Sequence, residues 1–222
     1  MKINEREKYF DELMFLLEKE TKQFFVPVVS KLDQMGKEPF HILISTVLSL
    51  RTKDQTTLEA SLRLFKLADT PEKMLSLNPQ LIEKTIFPVG FYKTKAKNIQ
   101  KICSILVEKY GGKVPSDMDL LLALPGVGRK TANLVLAVGF KLPGMCVDTH
   151  VHRISNRLGI LKTDSPLQTE MVLREILPVK YWEKYNEYLV SWGQNICKPI
   201  SPFCSKCPIK HLCQQKNVTH SR

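Results

Sequence analysis

The chain has 222 residues, of which 43% are hydrophobic, and this is enough to bury the core of one or two globular domains. Its 33 Lys and Arg residues against 22 Asp and Glu residues give a formal charge of +11, which favours an acidic polymer as partner. The apolar runs are far shorter than the ~20 residues that span a bilayer, and the charged residues 1–7 lack the apolar region of a secretion signal, so a cytoplasmic location in a prokaryotic cell is expected.

Helical signals begin near the N-terminus and continue through the first half of the chain. Residues 5–20 show an amphipathic pattern, and the strongly apolar run 40–50 suits a buried helix. Thr70-Pro71 and Asn78-Pro79 each resemble an N-cap followed by proline at the first helical position. A long helix from about Lys93 is expected to end at Gly111-Gly112.

The second half continues the same pattern. Ser165-Pro166 predicts a helix that ends before Pro178, and residues 181–195 predict the last long helix. Since short loops join roughly ten helices and no strand alternation is evident, the sequence predicts an all-α protein.

Basic residues concentrate in one part of the sequence. Lys93, Lys97 and Lys101 are four residues apart and would line one side of a helix, with Lys95 nearby. Within the following residues come Arg129, Lys130, Lys141, Arg153, Arg157 and Lys162. Each small group alone is typical of a solvated helix face, but together they indicate a surface that contacts phosphates.

A glycine turn between two helical segments lies at the centre of this basic region. The segment Leu124–Ala132 has the sequence LPGVGRKTA, preceded by a short helix for which Ser116 and Asp119 are spaced as a capping box. Glycines allow close approach of the backbone to a phosphate, and the second helix begins with N–H groups that bind anions. Lys130, in the first turn of that helix, could then serve as a nucleophile beside a phosphate. An ordinary helix corner with a solvated lysine is the alternative.

A second polar segment, Val147–Arg153, follows the turn. Asp148 is expected to cap a helix that begins near Thr149. The same carboxylate could accept a proton or stabilise positive charge on a sugar ring. His150 and His152 are interpreted as hydrogen-bonded structural residues, since they lack metal-ligand partners at helical spacing.

Four of the six cysteines form a cluster near the C-terminus: Cys197, Cys204, Cys207 and Cys213. Their C-x6-C-x2-C-x5-C spacing favours a 4Fe-4S cluster, with a zinc site or thiols without a metal as the alternatives. Cys103 and Cys146 have apolar neighbours and are expected to be buried thiols.

Three segments together resemble the endonuclease III family of DNA glycosylases: Leu124–Ala132, Val147–Arg153 and Cys197–Cys213, in this order and spacing. The resemblance covers about residues 40–213. It implies a two-lobed all-α helix-hairpin-helix DNA glycosylase fold with a cleft for DNA and a flipped nucleotide. One lobe would be a six-helix barrel domain, 32–142, containing the helix-hairpin-helix at about 117–140. The other would join residues 1–31 to 143–222 and hold the iron–sulfur loop 197–213.

The resemblance also implies a chemistry for matching positions. Lys130 is similar to the amine that attacks C1′, forms a Schiff base and promotes strand cleavage on the 3′ side by β-elimination. Asp148 is similar to the carboxylate that assists base release. The hairpin residues Gly126, Val127, Gly128 and Arg129 would bind DNA, and the four cysteines would hold a 4Fe-4S cluster that positions a loop on DNA.

Two positions depart from the family pattern. Many relatives have glutamine where Arg51 stands, and that residue fills the gap left by a flipped base. Arg51 could do this by stacking and hydrogen bonding. Phe91 occupies a position where an aliphatic wedge is frequent, and its ring could still intercalate between bases. These departures bear on which lesion and which opposite base are preferred.

The implied protein is a monomeric base excision repair enzyme, associated with the nucleoid, that acts on double-stranded DNA. Its substrates would be oxidised or ring-saturated pyrimidines and abasic sites. A monofunctional adenine or mismatch glycosylase is one alternative, which Lys130 argues against because such relatives usually lack it. A non-catalytic helix-hairpin-helix DNA-binding protein is another, which would need neither Lys130 nor Asp148. A small iron–sulfur electron carrier would explain neither the charge nor the hairpin.

Overall fold

The computed structural model describes residues 3–24 and 38–222, and every regular element in these ranges is helical, which confirms the all-α prediction. The α-helices are α1 Ile3–Thr21, α2 Pro39–Ser49, α3 Asp54–Leu67, α4 Pro71–Ser76, α5 Pro79–Ile86, α6 Tyr92–Tyr110, α7 Met118–Leu122, α8 Arg129–Leu134, α9 Thr149–Leu158, α10 Pro166–Ile176 and α11 Trp182–Asn195. A π-helical turn, Val135–Gly139, continues α8, and 3₁₀ turns lie at Val179–Tyr181, Cys204–Lys206 and Lys210–Leu212. No helix in the described part of the chain is long and apolar enough to cross a membrane.

The chain divides into two compact units. The discontinuous unit comprises Met1–Pro27 and Met145–Arg222, and the continuous unit is Val28–Gly144. Each has an apolar core of its own. The domain boundary expected at residues 31–32 lies outside the described residues.

The core of the continuous unit is built around α2. Its side chains at Ile42, Leu43, Ile44, Val47 and Leu48 are fully buried, and α2 contacts α3, α6, α8 and the π-helical turn. Because nearly all its faces are covered, α2 has an apolar sequence all round rather than a single apolar stripe. The buried α2 therefore fixes the position of the loop that follows its C-terminal end.

The short helices α4 and α5 begin, and the long helix α6 ends, where the sequence predicts. The Thr70 hydroxyl accepts a hydrogen bond from Lys73 N at 3.3 Å, and the Asn78 side chain accepts one from Gln80 N at 2.9 Å. Gly111, with φ +57°, ends α6 in the left-handed conformation that glycine adopts without strain. These local signals fix how α4 and α5 pack against α6.

In the discontinuous unit, α1 packs against α11, which in turn packs against α9. Phe10 and Tyr185 are fully buried and meet edge to face, with ring centres 6.5 Å apart. The buried Tyr185 hydroxyl lies 2.9 Å from Ser155 Oγ, so its polar atom is satisfied inside the core. The start of α9 and the cysteine segment, residues 197–213, pack against this core.

Candidate functional site

The helix-hairpin-helix consists of α7, the turn 123–128 and α8. The expected cap, Ser116, is wrong by one position: Asp117 Oδ1 accepts hydrogen bonds from Asp119 N at 2.9 Å and Leu120 N at 3.0 Å. Its carboxylate satisfies two N–H groups at once, which favours it as the cap. Gly126 turns the chain with φ +77°, and Val127 N donates to Leu124 O at 3.1 Å.

The hairpin presents backbone rather than side chains to solvent. Val127 is buried in the core of the continuous unit and anchors the turn, whereas Gly126 and Gly128 are exposed. A Cβ on Gly126 would overlap the Asn98 amide, but the space around Gly128 is open. A ligand can therefore reach the backbone of Gly126, Val127 and Gly128, but not the side chain of Val127.

Arg129 and Lys130 are the first two residues of α8, and both are half-buried. The next three residues, Thr131, Ala132 and Asn133, are buried, which fixes the rotation of the helix. Ala132 N donates to Gly128 O at 2.9 Å, so the N–H groups that precede it lie in the first turn, where an α-helix supplies no internal acceptor. Lys130 is thus held at a rigid helix start next to the exposed hairpin.

Asp148 caps α9, as the sequence predicts. Its Oδ1 accepts hydrogen bonds from His150 N at 2.8 Å and Val151 N at 2.9 Å. The prediction that both histidines are hydrogen-bonded is confirmed: His150 Nδ1 lies 3.1 Å from Arg153 Nη2, and His152 Nδ1 lies 2.7 Å from Thr169 Oγ1. The carboxylate therefore has a fixed place at the end of a well-packed helix.

The four clustered cysteines line one common cavity, which apolar side chains such as Trp192 complete. Burial raises the pKa of the Cys207 thiol to about 11 and also raises that of Cys213, with neighbouring cysteines adding to both effects. Within the described ranges, no three His, Cys, Asp or Glu side chains converge on a point that suits a single metal ion. Cys103 and Cys146 are buried elsewhere, as predicted.

Arg157 joins α9 to the first of these cysteines. Its Nη1 donates to Cys197 Sγ at 3.3 Å and to Lys198 O at 2.7 Å, and its Nη2 donates to Pro199 O at 2.5 Å. Arg157 is buried, so the expectation that it belongs to an exposed basic footprint is wrong. The sequence offered no signal for this contact beyond an arginine in the last turn of a helix.

Arg51 and Phe91, the two departures from the family pattern, lie next to each other. Both are exposed, and the Arg51 guanidinium carbon is 5.7 Å from the centre of the Phe91 ring. Lys95, in contrast to the exposed Lys93 and Lys97 on the same helix, is buried. Sequence reasoning grouped Lys95 with the basic row and missed its internal contacts.

The chain is similar to known DNA repair proteins. A family model described as HhH-GPD superfamily base excision DNA repair protein matches residues 44–179. Endonuclease III of Thermotoga maritima is 49% identical over 189 residues, which cover 84% of this chain and 89% of that protein. Endonuclease III of Bacillus subtilis is 40% identical over 184 residues, covering 82% and 84% respectively.

Solved structures give the same result. A trapped endonuclease III–DNA covalent intermediate matches with a TM-score of 0.83 and 36% identity over 97% of each chain. A thermostable thymine-DNA glycosylase, at 23% identity, shares the fold with a TM-score of 0.80 over 94% of this chain and 97% of that one. With a family model over more than half of its length and relatives 40% and 49% identical, the chain belongs to the endonuclease III family, DNA glycosylases with abasic-site lyase activity that act in base excision repair.

Proposed function

We propose that this enzyme removes oxidised or ring-saturated pyrimidines from double-stranded DNA and that Lys130 is its nucleophile. The observation that carries the proposal is a half-buried lysine in the first turn of α8, directly after an exposed glycine hairpin. Such a helix start favours a DNA phosphate, and a phosphate bound there would hold the adjacent sugar near Lys130.

The reaction begins when the neutral Lys130 Nζ attacks C1′ of the damaged nucleotide. The C1′–N bond breaks, its electron pair leaves with the base, and the base takes up a proton. The nitrogen lone pair then opens the sugar ring, and the two protons that the nitrogen loses are balanced by those taken up by the base and by the ring oxygen O4′, which leaves a Schiff base at C1′. This imine makes the 2′ proton acidic, so its removal expels the 3′ phosphate by β-elimination, and water then releases the lysine.

Asp148 is proposed as the carboxylate that assists base release. A negative charge stabilises the positive charge that develops on the sugar as the base departs, and a carboxylate can also relay the protons of the later steps. Its hydrogen bonds to the start of α9 restrict its side chain, so little reorganisation is needed during the reaction.

DNA contacts are proposed for two groups of residues. The backbone of Gly126, Val127 and Gly128, with the side chain of Arg129, would bind a phosphate near the lesion. Arg51 and Phe91 would enter the duplex, one filling the space of the flipped nucleotide and the other separating neighbouring bases. An arginine suits this task because its planar guanidinium both stacks and donates hydrogen bonds.

We also propose that the four clustered cysteines hold a 4Fe-4S cluster. The donor set fits: four thiols share one cavity with an apolar lining, and the Arg157 guanidinium and Gln215 N–H lie 3.3 and 3.4 Å from cysteine sulfurs. N–H groups aimed at sulfur stabilise the negative charge of such a site. When bound, the cluster would supply cross-links between distant parts of the segment 197–213.

The remaining expectations complete the proposal. The two compact units would correspond to the six-helix barrel domain, 32–142, and to the iron–sulfur domain formed by 1–31 and 143–222. We further propose that the enzyme works as a monomer in a prokaryotic cytoplasm, associated with the nucleoid. The positive charge of +11 supports the association with DNA.

Borohydride treatment during reaction with a thymine glycol duplex tests the role of Lys130. Reduction converts the Schiff base into a stable protein–DNA adduct, which we expect from the wild type and from the control Lys109→Ala but not from Lys130→Ala. An adduct that persists in Lys130→Ala would identify another amine as the nucleophile. Base release without an adduct in the wild type would indicate a monofunctional glycosylase, and binding without base release a non-catalytic DNA-binding protein.

A further inference from the structure

Arg51 and Phe91 form a pair although they lie on different loops. Arg51 follows α2, and Phe91 immediately precedes α6. Phe91 is 62% exposed, and the 5.7 Å between the Arg51 guanidinium carbon and the ring centre is within the range of a cation–π contact.

Both residues of the pair have a left-handed backbone, with φ +52° at Arg51 and φ +57° at Phe91. Residues other than glycine rarely adopt this conformation, because Cβ then crowds the neighbouring carbonyl oxygen. Their surroundings must therefore impose it, and backbone strain of this kind is concentrated at functional sites.

The two loops are joined next to the pair. Gly90 N donates to Thr52 Oγ1 at 3.1 Å, and a Cβ on Gly90 would lie only 2.6 Å from Arg51 O. Thr52 Oγ1 itself donates to Leu50 O at 3.3 Å. The backbones of the two loops thus touch at a place where only glycine fits.

Lys95 closes this junction from inside the protein. Its side chain is buried, and Nζ donates to Leu48 O at 2.8 Å, Leu50 O at 2.5 Å and Thr52 Oγ1 at 3.1 Å, which uses all three donors of an ammonium group. Carbonyl groups at the end of a helix such as α2 lack internal partners, and the negative end of the helix dipole favours a cation. Lys95 N also donates to Phe91 O at 3.0 Å.

We propose that Lys95 is a positioning residue that holds Arg51 and Phe91 together as a preformed wedge for insertion into damaged DNA. This inference rests on the proposed insertion of the two side chains. Without Lys95, the carbonyl groups of Leu48 and Leu50 lose a donor, and Thr52 keeps only Gly90 N as a donor to its hydroxyl. The two loops would then have to become ordered during binding, which lowers affinity for lesion DNA.

The test compares Lys95→Met with Lys109→Met, which removes the same charge from an exposed position of the same helix. The probe is a duplex with 2-aminopurine opposite a tetrahydrofuran abasic analogue, whose fluorescence reports insertion beside the opposite base. Relative to the wild type, we expect Lys95→Met to lose most of the fluorescence change and to bind this duplex about tenfold more weakly. Lys109→Met is expected to match the wild type in both measurements.

A cycle of variants separates positioning from general stability. In an Arg51→Ala/Phe91→Ala background, Lys95→Met is expected to cause no further loss, because the residues through which it acts are absent. A tenfold loss that persists in this background would overturn the proposal. Should Lys95→Met fail to fold, Thr52→Val removes the hydroxyl shared by the two loops and is expected to reproduce the loss of fluorescence change; wild-type behaviour of Thr52→Val would then overturn it.

The same measurements distinguish failure of this inference from failure of the proposed function. If Arg51→Ala and Phe91→Ala leave the fluorescence change intact, the insertion itself is wrong. If both abolish it while Lys95→Met does not, only the role of Lys95 is wrong. Borohydride trapping by Lys130 remains an independent measurement in either case.

Discussion

Asp148 caps α9 and is also proposed to assist base release, so one side chain would serve two roles. Because the cap hydrogen bonds from His150 N and Val151 N both end on Oδ1, an asparagine can accept them equally well. We expect Asp148→Asn to keep the wild-type melting temperature, and Asp148→Ala to lose about 1 kcal/mol of stability. Both variants are expected to release thymine glycol about 100-fold more slowly in single-turnover assays. Wild-type excision by Asp148→Asn would reduce Asp148 to a cap.

Lys95 is expected to titrate near pH 8, well below the range of an ordinary lysine. Burial lowers its pKa from the ordinary lysine value of 10.5 to about 8, because the charged form loses its hydration. In NMR spectra of protein labelled with ¹³Cε-lysine, we expect one resonance with a midpoint near pH 8 that disappears in Lys95→Met. Between about pH 8 and 10.5 the unfolded chain holds this proton more tightly than the folded one, so this group makes stability rise with pH there. A titration that survives in Lys95→Met would contradict the assignment.

The helices differ in how far their ends could be predicted from sequence. Thr70, Asn78, Asp148 and Ser165 all cap the helices they were expected to cap, because a cap is a contact over two or three residues. The start of α7 was wrong by one residue, since Ser116 and Asp117 are both good caps and only the backbone path decides between them. The glycine turn and the position of Lys130 in the first turn of α8 were predictable for the same local reason, whereas the chemical roles of these residues stay predictions.

Contacts between elements were not predictable in this way. Lys95 reaches acceptors 43 to 47 residues away, and Arg157 reaches acceptors 40 to 42 residues away. In a linear sequence both residues look like exposed charges in helices. Only the packing of α2 against α6, and of α9 against the cysteine segment, turns them into internal hydrogen-bond donors.

The link between α9 and the cysteine segment can be tested with Arg157→Lys. An ammonium group cannot span the sulfur and the two carbonyl groups that the guanidinium now joins, so we expect the segment to lose about 2 kcal/mol of stability. The measurement is the guanidinium concentration at which the absorbance near 400 nm expected of the proposed cluster is lost. Arg6→Lys, the same change in the first turns of α1 of the same unit, is the control. Equal midpoints for the wild type and Arg157→Lys would show that the hydrogen bonds contribute little.

At the scale of the whole molecule, the two units have separate cores and are expected to respond separately to loss of the proposed cluster. In Cys207→Ser, which removes one proposed ligand, we expect amide hydrogen exchange to accelerate in residues 145–222 and in α1. Protection in residues 38–144 should stay within twofold of the wild type, because these residues pack around α2. Hydrogen exchange with mass spectrometry resolves the two regions. Equal loss of protection in both would mean that the molecule unfolds as one unit.

The position of α1 determines the order in which the two units can fold during synthesis. This helix packs against α11, and the Tyr9 hydroxyl donates to Leu212 O at 2.9 Å, so its binding site is made of residues near the other end of the chain. A ribosome that adds about 5–20 residues per second needs roughly ten to forty seconds to reach them after α1 is complete. During that interval the continuous unit can emerge and fold, while α1 exposes an apolar face that contains the fully buried Phe10, Leu13 and Leu17 of the finished protein. The nascent chain therefore exposes an apolar helix face to which chaperones can bind. In the folded enzyme the same face is buried.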